Sequence, residues 1–409
     1  MCSSPAQIKP GKPCHPHDEL HSDRDRSASP PPPTLGDVFR LFGPAYRAKY
    51  AARMSQDQLR AMAMIERCRT GELGSAVFHC SQCNTFHHVP RSCGNRHCNQ
   101  CQGHKARRWL DDQLVKLLPC PYFLMTFTVP ASMRPFMRAH PRECYKALFD
   151  ASSATLMELA QNPKYVGSAN IGVTGVLHTW GRALTYHPHV HYIVPGGAIS
   201  QDGQSWLPSA DDFFVPVKAA SKIFKAKFKE AMRECGLLDS APSNAWTQKW
   251  VVNCKPVGDG RKALKYLAPY VFRVAISNRR IVKVEPGPDG SGQVTFTVRP
   301  SGTNEYVERT LSAERFMHGF LQHVLPRGFQ KVRRYGFAHP RRQIDWDWLT
   351  MLVTVTLTMV YTLTLAPKLE PKTPNAFPWP KCGQPMRCLG FIPAQPLPPL
   401  ASPQFNDSS

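Results

Sequence analysis

The chain has 409 residues, of which 42% are apolar, and a formal net charge of +22, so it is long enough for two or three domains with a sizeable core. Six of its fourteen cysteines crowd between Cys68 and Cys101, and the first 25 residues contain no apolar signal segment, which argues against a secreted, disulfide-linked class of protein. Residues 1–40 are net neutral and residues 341–409 carry +2, which leaves +20 on residues 41–340. Such an excess favours a polyanionic partner, most often nucleic acid, over a merely basic soluble protein.

The predicted elements follow a proline- and serine-rich stretch, residues 1–35, whose composition predicts a disordered tail. From residue 34 apolar side chains recur at helical spacing. Further helices are predicted over Met54–Arg67, Ala106–Leu118, Arg142–Gln161, Lys218–Cys235 and Arg261–Tyr270. Strands are predicted over Tyr122–Val129, Ile171–Trp180, Pro188–Val194, Trp246–Asn253, Arg280–Val284 and Gln293–Val298, the last two as a hairpin. This order predicts an α+β fold with helices packed on one face of a sheet.

Two CxxC pairs lie in the N-terminal region: Cys80-Ser-Gln-Cys83 and, after fourteen intervening residues, Cys98-Asn-Gln-Cys101. Each pair places two sulfurs on one tight turn, and the loop between them can bring the turns together to complete a four-thiolate zinc site. Such a site is structural, because four thiolates leave no open position for catalysis. The residues left over that could complete or support a second site include Cys68, Cys93 and His97. Basic residues of these loops suit contact with phosphates: Arg91, Arg96, Lys105, Arg107 and Arg108.

The predicted strand Pro188–Val194 carries His189 and His191, whose side chains point to the same face, about 6–7 Å apart along the strand. The side chain of Val190, between them, is predicted to point to the opposite face of the strand, into the core. Two neutral imidazoles on a rigid strand are half of a metal site.

A third ligand is predicted from the pairing of this strand with the preceding one. If Ile171–Trp180 and Pro188–Val194 form a hairpin centred near residues 183–184, His178 falls opposite His189, with Cβ atoms about 5 Å apart. His178 is therefore the best candidate for the third ligand. His187 competes with it, since it lies on the same face of the same strand as His189.

A tyrosine pair, Tyr266 and Tyr270, is spaced so that both phenols share one face of the predicted helix, although Pro269 can kink or end that helix. A phenol has a pKa of about 10, so attack on phosphorus needs help from cationic neighbours or a metal ion. Two tyrosines at this spacing are usually core packing, but the upstream histidines and the basic body favour a nucleophile pair. The cations around them are Arg261, Lys262, Lys265 and Arg273.

Two later segments are less specific. The predicted helix Lys218–Cys235 places Phe224 and Phe228 among lysines, which suits either contact with a nucleic-acid strand or an ordinary solvated helix face. Residues 349–366 form an apolar, uncharged run at the lower limit for a membrane span, but six threonines and the end at Pro367 favour a buried segment over residues 346–366. Residues 367–409 carry eleven prolines and predict a second flexible tail.

Taken in order, these motifs closely resemble rolling-circle transposases of the HUH-tyrosine class, in the IS91 and ISCR group. The resemblance extends over about residues 36–345. It rests on five groups of residues: Ser92–Gln102; His178–Gly181; His187–His191 with Val194–Gly197; Tyr266–Tyr270 with Arg273–Arg280; and His323–Phe329 with Tyr335–Phe337.

The resemblance implies a helical, zinc-ribbon domain that contacts DNA over residues 36–115, then an HUH nuclease domain with a central antiparallel sheet and helices over residues 116–345. It implies structural Zn²⁺ at the cysteines and a catalytic Mg²⁺ or Mn²⁺ held by His189 and His191. It further implies that Tyr266 or Tyr270 attacks single-stranded DNA at transposon ends, leaving a 5′-phosphotyrosine and a free 3′-OH for transfer to target DNA. The order in which the two tyrosines attack stays open.

The expected partners are therefore single-stranded DNA at the transposon ends and target DNA, in a bacterial, cytoplasmic and nucleoid-associated protein without a membrane partner. The side chains expected to contact DNA are Arg96, Arg107, Arg108, Lys262, Lys265 and Arg273. Two rival functions remain: a zinc-ribbon DNA-binding regulator without catalytic activity, and a metal-dependent phosphodiesterase that uses water. The intact histidine pair and tyrosine pair distinguish the transposase from the regulator, and a requirement for the tyrosines distinguishes it from the phosphodiesterase.

Overall fold

The computed structural model describes residues 31–181, 184–272, 275–300, 303, 305–357, 376–379 and 381–394. The α-helices of these residues are α1 (Leu35–Tyr50), α2 (Gln56–Glu66), α3 (Gly103–Leu114), α4 (Met133–Ala139), α5 (Pro141–Gln161), α6 (Val217–Glu234), α7 (Arg261–Phe272), α8 (Ala313–Leu321) and α9 (Trp346–Thr356). The strands are β1 (Ser75–Cys80), β2 (Thr85–Pro90), β3 (Tyr122–Thr128), β4 (Gly172–Trp180), β5 (Tyr186–Pro195), β6 (Gly197–Ile199), β7 (Trp206–Pro208), β8 (Val251–Pro256), β9 (Ile281–Pro286), β10 (Gly292–Val298), β11 (Val307–Ser312), β12 (Val332–Gly336), β13 (Ala376–Pro378) and β14 (Pro385–Ile392).

A five-stranded antiparallel sheet forms the centre of the molecule, in the order β12-β4-β5-β3-β8. Strand β3 follows the period-2 rule, since Phe123, Met125 and Phe127 all point to one face and are fully buried. Helices α5 and α6 cover this face, and α6 contributes Phe224 and Phe228 to the same core. These two phenylalanines are therefore packing residues, which favours the solvated-face interpretation of α6 over strand contact.

Helices α3, α7 and α9 cover the opposite face of the sheet, where Val176 and Ile193 pack with Leu264 and Leu267 of α7. The prediction that helices pack on one face only is therefore wrong. The reason lies in β4 and β5, whose residues are largely buried on both sides and so need a helical layer on each. The structure confirms a mixed α/β architecture with antiparallel sheets.

Two smaller sheets flank the central one. The sheet β11-β10-β9 extends the predicted hairpin by one strand and shares a core with α1, α2 and α8. The sheet β13-β14-β1-β2 joins a hairpin near the C-terminal end of the described chain to the hairpin that carries Cys80. These pairings bring distant parts of the sequence into one sheet.

Several predicted boundaries differ from the observed ones. The strand predicted over Trp246–Asn253 begins only at Val251, because residues 243–246 form a short 3₁₀ turn. The buried segment predicted over residues 346–366 begins as α9, with Leu349 and Val353 in the core, whereas residues 358–375 lie outside the described residues. Residues 1–30 and 395–409 of the two predicted tails also lie outside the described residues. The flexible tail predicted over residues 367–409 is wrong for β13 and β14, because these strands pair with each other and β14 pairs with β1. None of the helices in the described residues is long and apolar enough to cross a membrane.

Candidate active site

Three histidines meet on the β4–β5 hairpin, on the face covered by α7. His178 of β4 pairs directly with His189 of β5, which confirms the predicted register, and His191 follows two residues later. The three candidate ligand nitrogens all lie within 4.8 Å of one another. Val190, between the two β5 histidines, is fully buried in the core on the other side of the sheet, as predicted.

Hydrogen bonds fix the orientation of the two β5 histidines. The Nδ1 of His189 lies 2.7 Å from the carbonyl oxygen of His187, which accepts its hydrogen, and the Nδ1 of His191 lies 2.8 Å from the Thr126 hydroxyl. Both rings are therefore held so that Nε2 is the atom available as a ligand. The Nε2 of His178 is buried and has no hydrogen-bond partner among the described residues.

Burial keeps these imidazoles neutral. It lowers the pKa of His191 to about 4 and holds the pKa of His178 and His189 well below 6.5, with the neighbouring histidines adding to the effect. A neutral imidazole is the form that binds a metal ion. The converging lone pairs and the unpartnered Nε2 of His178 therefore fit a divalent cation, and nitrogen donors suit Mn²⁺ better than Mg²⁺, which prefers oxygen.

His187, the competing candidate, is directed elsewhere. Its Nδ1 lies 2.7 Å from the guanidinium of Arg134, and it is not part of the cluster of converging nitrogens. It still lines the same cleft. Geometry thus favours His178 over His187 as the third ligand.

Helix α7 carries both tyrosines over the histidines. Pro269 does not end the helix, which continues to Phe272. The Tyr266 and Tyr270 rings are 5.2 Å apart, and Tyr266 lies 6.3 Å from the His191 ring. Tyr270 packs 4.7 Å from the His178 ring, so the two phenols face two of the three histidines.

The two phenols differ in their surroundings. Tyr266 is 49% exposed, whereas Tyr270 is half-buried. Burial, followed by the proximity of Tyr266, raises the pKa of Tyr270 to about 12. The backbone carbonyl of Tyr270 also accepts a hydrogen bond from the partly buried Lys331. Tyr266 is therefore the more accessible phenol and Tyr270 the more firmly held one.

Histidines and tyrosines line one cleft of about 560 Å³. Three of its other lining residues, Arg280, Arg299 and Tyr306, were not predicted as site residues. They come from the region around β9–β11, which is distant from the histidines in the sequence. The nearest signal was the basic run that ends at Arg280. Thr126 was also missed, although it is a polar residue on an otherwise apolar strand.

The cysteines do not form the predicted site from Cys80, Cys83, Cys98 and Cys101, because the structure separates the two CxxC pairs. The first group of converging thiols is Cys68, Cys93, Cys98 and Cys101. The second is Cys80, Cys83 and Cys382. The prediction was wrong about the grouping because Cys80 and Cys83 end a hairpin that pairs with β14, away from the second CxxC turn.

The four-thiol group fits a tetrahedral zinc site. The Sγ atoms of Cys93 and Cys101 are 3.7 Å apart, close to the S···S distance of about 3.8 Å that follows from Zn–S bonds of about 2.3 Å. Hydrogen bonds from Cys68, Cys93 and Cys98 lower the pKa of the Cys101 thiol. Cys68 and Cys93, predicted as a second site or its support, thus belong to the first group.

His97 supports this region without joining the thiols. Its Nε2 accepts a hydrogen bond from the Leu325 backbone N–H at 3.0 Å, and its Nδ1 lies 3.1 Å from the Asn95 side-chain oxygen. Both ring nitrogens are thus engaged with protein groups. Burial lowers the pKa of His97 to about 3, so the ring stays neutral.

The side chains predicted to contact DNA fall into three groups. Arg107 and Arg108 are exposed on α3, which packs against α7, and α7 exposes Lys262 and Lys265 beside the cleft. Arg96 is partly buried, and its guanidinium donates to the carbonyl oxygens of Pro326 and Phe329. Arg273 lies outside the described residues.

Two protein-family models match the chain. Residues 172–344, which include the histidines and tyrosines, match the model described as "Putative transposase". Residues 38–129, which include seven of the cysteines, match the model described as "Transposase zinc-binding domain".

Curated proteins give the same result. The chain is 37% identical over 328 residues to a protein of Sinorhizobium fredii named "Putative transposase y4qJ", covering 76% of this chain and 81% of the relative. It is 26% identical over 300 residues to the "Transposase for insertion sequence element IS801" of Pseudomonas savastanoi pv. phaseolicola, covering 67% and 68%. No solved structure matches the chain.

Proposed function

The chain belongs to the IS91 family of transposases, and from this premise we propose that its histidine–tyrosine cleft cuts and rejoins single-stranded DNA at transposon ends through a 5′-phosphotyrosine intermediate. A transposase binds DNA and transfers its strands, which agrees with the +20 charge of residues 41–340. One observation carries the proposal. One ring nitrogen from each of three histidines converges in the cleft that is also lined by the two phenols of α7.

Tyr266 is proposed as the first nucleophile. It is the more exposed of the two phenols, so a phosphodiester can reach it from solvent. Its oxygen attacks phosphorus as the bond to the 3′ oxygen breaks, and the phenol proton is lost while the leaving oxygen gains one. The DNA 5′ phosphate is then bonded to Tyr266 and the other strand end carries a free 3′-OH. The phosphoester energy is retained, so rejoining needs no nucleotide cofactor.

Tyr270 is proposed as the second nucleophile, which takes over a strand after the first transfer. Its ring lies 5.2 Å from that of Tyr266, so both phenols can address phosphates in one cleft. Burial raises its pKa to about 12, which disfavours formation of its phenolate in the absence of DNA. Entry of a polyanion would bring further charge to this environment, and the adjoining Arg280 is placed to offset it.

His178, His189 and His191 would hold a divalent metal ion through their Nε2 atoms. When bound, such an ion polarises the scissile phosphate and stabilises the charge that develops on it. Thr126 and the His187 carbonyl position two of the three rings before the ion arrives. The four-thiol group in the N-terminal region is proposed to hold a structural Zn²⁺.

DNA is proposed to enter the cleft along α7 and the adjoining α3. Lys262 and Lys265 are exposed on α7, and Arg107 and Arg108 on α3, so these cations can contact phosphates without reading sequence. Arg96 is left out of this surface, since its guanidinium is committed to two backbone carbonyls.

The test is incubation of the protein with labelled single-stranded oligonucleotides from its own transposon ends, with Mn²⁺. A covalent DNA–protein adduct that survives denaturation is expected. No adduct, or an adduct that persists when Tyr266→Phe and Tyr270→Phe are combined, would contradict the proposal. If the DNA is cleaved without forming an adduct, and this cleavage persists when both tyrosines are replaced, the protein would instead be a phosphodiesterase that uses water.

A further inference from the structure

We infer that Cys80, Cys83 and Cys382 form a second, three-thiolate zinc site, which fastens the β13–β14 hairpin onto the β1–β2 hairpin. The three sulfurs lie within 4.8 Å of one another although Cys80 and Cys382 are 302 residues apart. The site is independent of the histidine cleft and of the four-thiol group.

The sulfur geometry fits a bound ion. The Sγ atoms of Cys80 and Cys382 are 3.6 Å apart, close to the edge of about 3.8 Å of a tetrahedron with Zn–S bonds of about 2.3 Å. A disulfide would require about 2.05 Å. Cys80 and Cys382 are buried, so two of the three thiols are held away from water.

The two hairpin turns that supply the sulfurs share a backbone pattern. Cys83 is followed by Asn84 with φ 47°, and Cys382 is followed by Gly383 with φ 72°, so each ligand precedes a left-handed residue. Glycine and asparagine are the residues that adopt this conformation most readily. Each turn also joins two antiparallel strands, β1 to β2 and β13 to β14. The site is therefore built from two similar turns that face each other.

The sequence position that would supply a fourth thiolate holds a tryptophan, which cannot bind zinc. Trp379 stands three residues before Cys382, as Cys80 stands three residues before Cys83. Its side chain packs against the sulfur cluster, and its Nε1 is buried without a hydrogen-bond partner in the described part of the chain. The described part of the chain thus supplies three thiolates, and a small exogenous ligand such as water would complete the tetrahedron.

The site has a mechanical consequence. Among the described residues, the apolar cluster beneath it consists of Cys80, Cys382 and Met386 with three partly buried neighbours, which is little for holding a hairpin in place. Strand β14 pairs with β1 along Ser75–His79. Zinc binding would therefore supply a large part of the free energy that keeps β14 in the sheet.

The test counts zinc ions in the full chain by native mass spectrometry, with His189→Ala and His191→Ala in the background so that only cysteines contribute. Two ions per chain are expected. Cys382→Ser should lose one, whereas Cys388→Ser, which removes a thiol of the adjoining strand β14 outside the cluster, should keep both. Retention of both ions in folded Cys382→Ser, or equal loss in Cys388→Ser, would overturn the inference.

A gain-of-ligand variant covers the case in which Cys382→Ser fails to fold. Trp379→Cys adds the missing thiolate, so transfer of one zinc ion to a chromogenic chelator should become slower than in the parent chain. When the chelator removes zinc from the parent chain, the backbone amides of β14 should begin to exchange hydrogen before those of the central sheet. An unchanged transfer rate in Trp379→Cys, or β14 amides that stay protected after zinc removal, would contradict the inference.

Discussion

His178 lies directly opposite His189 across the β4–β5 hairpin, and its Nε2 is buried without a hydrogen-bond partner among the described residues. An unpaired buried nitrogen costs free energy unless a ligand satisfies it. A ring nitrogen of His178 lies within 4.8 Å of the ligand atoms of His189 and His191. This juxtaposition gives the strongest argument that the hairpin is built for a metal ion.

The first prediction compares the two candidates for the third ligand. His178→Ala should weaken Mn²⁺ binding by more than the roughly 10–100-fold typical of outer-shell changes, and metal-dependent cleavage should be lost while single-strand binding persists. His187→Ala should leave Mn²⁺ affinity near that of the parent chain, because its Nδ1 faces Arg134. Titration monitored by Mn²⁺ electron paramagnetic resonance measures both. The reverse ranking would identify His187 as the ligand.

The second prediction concerns the threonine that orients His191. Thr126→Val removes the hydroxyl 2.8 Å from the Nδ1 of His191 while nearly conserving side-chain volume. Mn²⁺ affinity and cleavage should fall by about 10–100-fold, because the ring loses the partner that fixes its orientation. Thr128→Val on the same strand is the matched control. Equal effects of the two changes would indicate a general disturbance of β3.

Part of this site was predictable from sequence, and the reason is local geometry. The short connection between β4 and β5 fixed the register, so the position of His178 opposite His189 followed from counting residues. The cysteine grouping did not follow, because spacing within CxxC pairs does not determine which turns meet. Cys382 pairs with Cys80 only through the contact of β14 with β1. Arg280 and Tyr306 reach the cleft through the packing of a separate sheet, which leaves no periodic signal.

The third prediction is a pH dependence of stability. Burial lowers the pKa of His191 to about 4, below the unfolded value of about 6.5. Below pH 6.5 His191 binds a proton in the unfolded chain but stays neutral in the folded one. Its contribution to the free energy of unfolding is therefore complete above about pH 6.5 and falls as the pH drops toward 4. His97 and His323 should add to this slope, because burial lowers their pKa to about 3.

Urea unfolding of the metal-free chain between pH 7.5 and 4.5 measures this effect. Each such histidine should add about 1.4 kcal/mol per pH unit to the loss below about pH 6.5. His191→Gln should reduce the slope by one proton. A flat stability profile in the parent chain would show that the folded rings take up protons as readily as those of the unfolded chain.

The fourth prediction separates a structural arginine from DNA-contacting ones. Arg96→Gln should lower the free energy of unfolding, because the carbonyl oxygens of Pro326 and Phe329 lose their donor. Arg107→Gln and Arg108→Gln should leave stability unchanged, since both side chains are exposed, and should each reduce the salt dependence of DNA affinity by about one unit of slope. Fluorescence anisotropy over a salt series and urea unfolding measure the two effects. A stable Arg96→Gln protein with a reduced salt slope would restore Arg96 to the DNA-binding surface.

The fifth prediction assigns the order of the two tyrosines. Tyr266→Phe should abolish the first covalent adduct, because the phenyl ring keeps the packing on α7 but removes the exposed oxygen. Tyr270→Phe should retain the first adduct within about tenfold, since it removes one polar group from a half-buried position. It should instead block the second strand transfer.

Two substrates distinguish these steps. A single labelled transposon end reports the first cleavage, and a pre-formed adduct supplied with a second unlabelled end reports the transfer that follows. Leu267→Met is the control for a general disturbance of α7, because Leu267 lies on the same helix but is buried in the core between α7 and the sheet. Loss of the first adduct in Tyr270→Phe but not in Tyr266→Phe would reverse the assignment, and the greater exposure of Tyr266 would then reflect access for the second strand rather than the first.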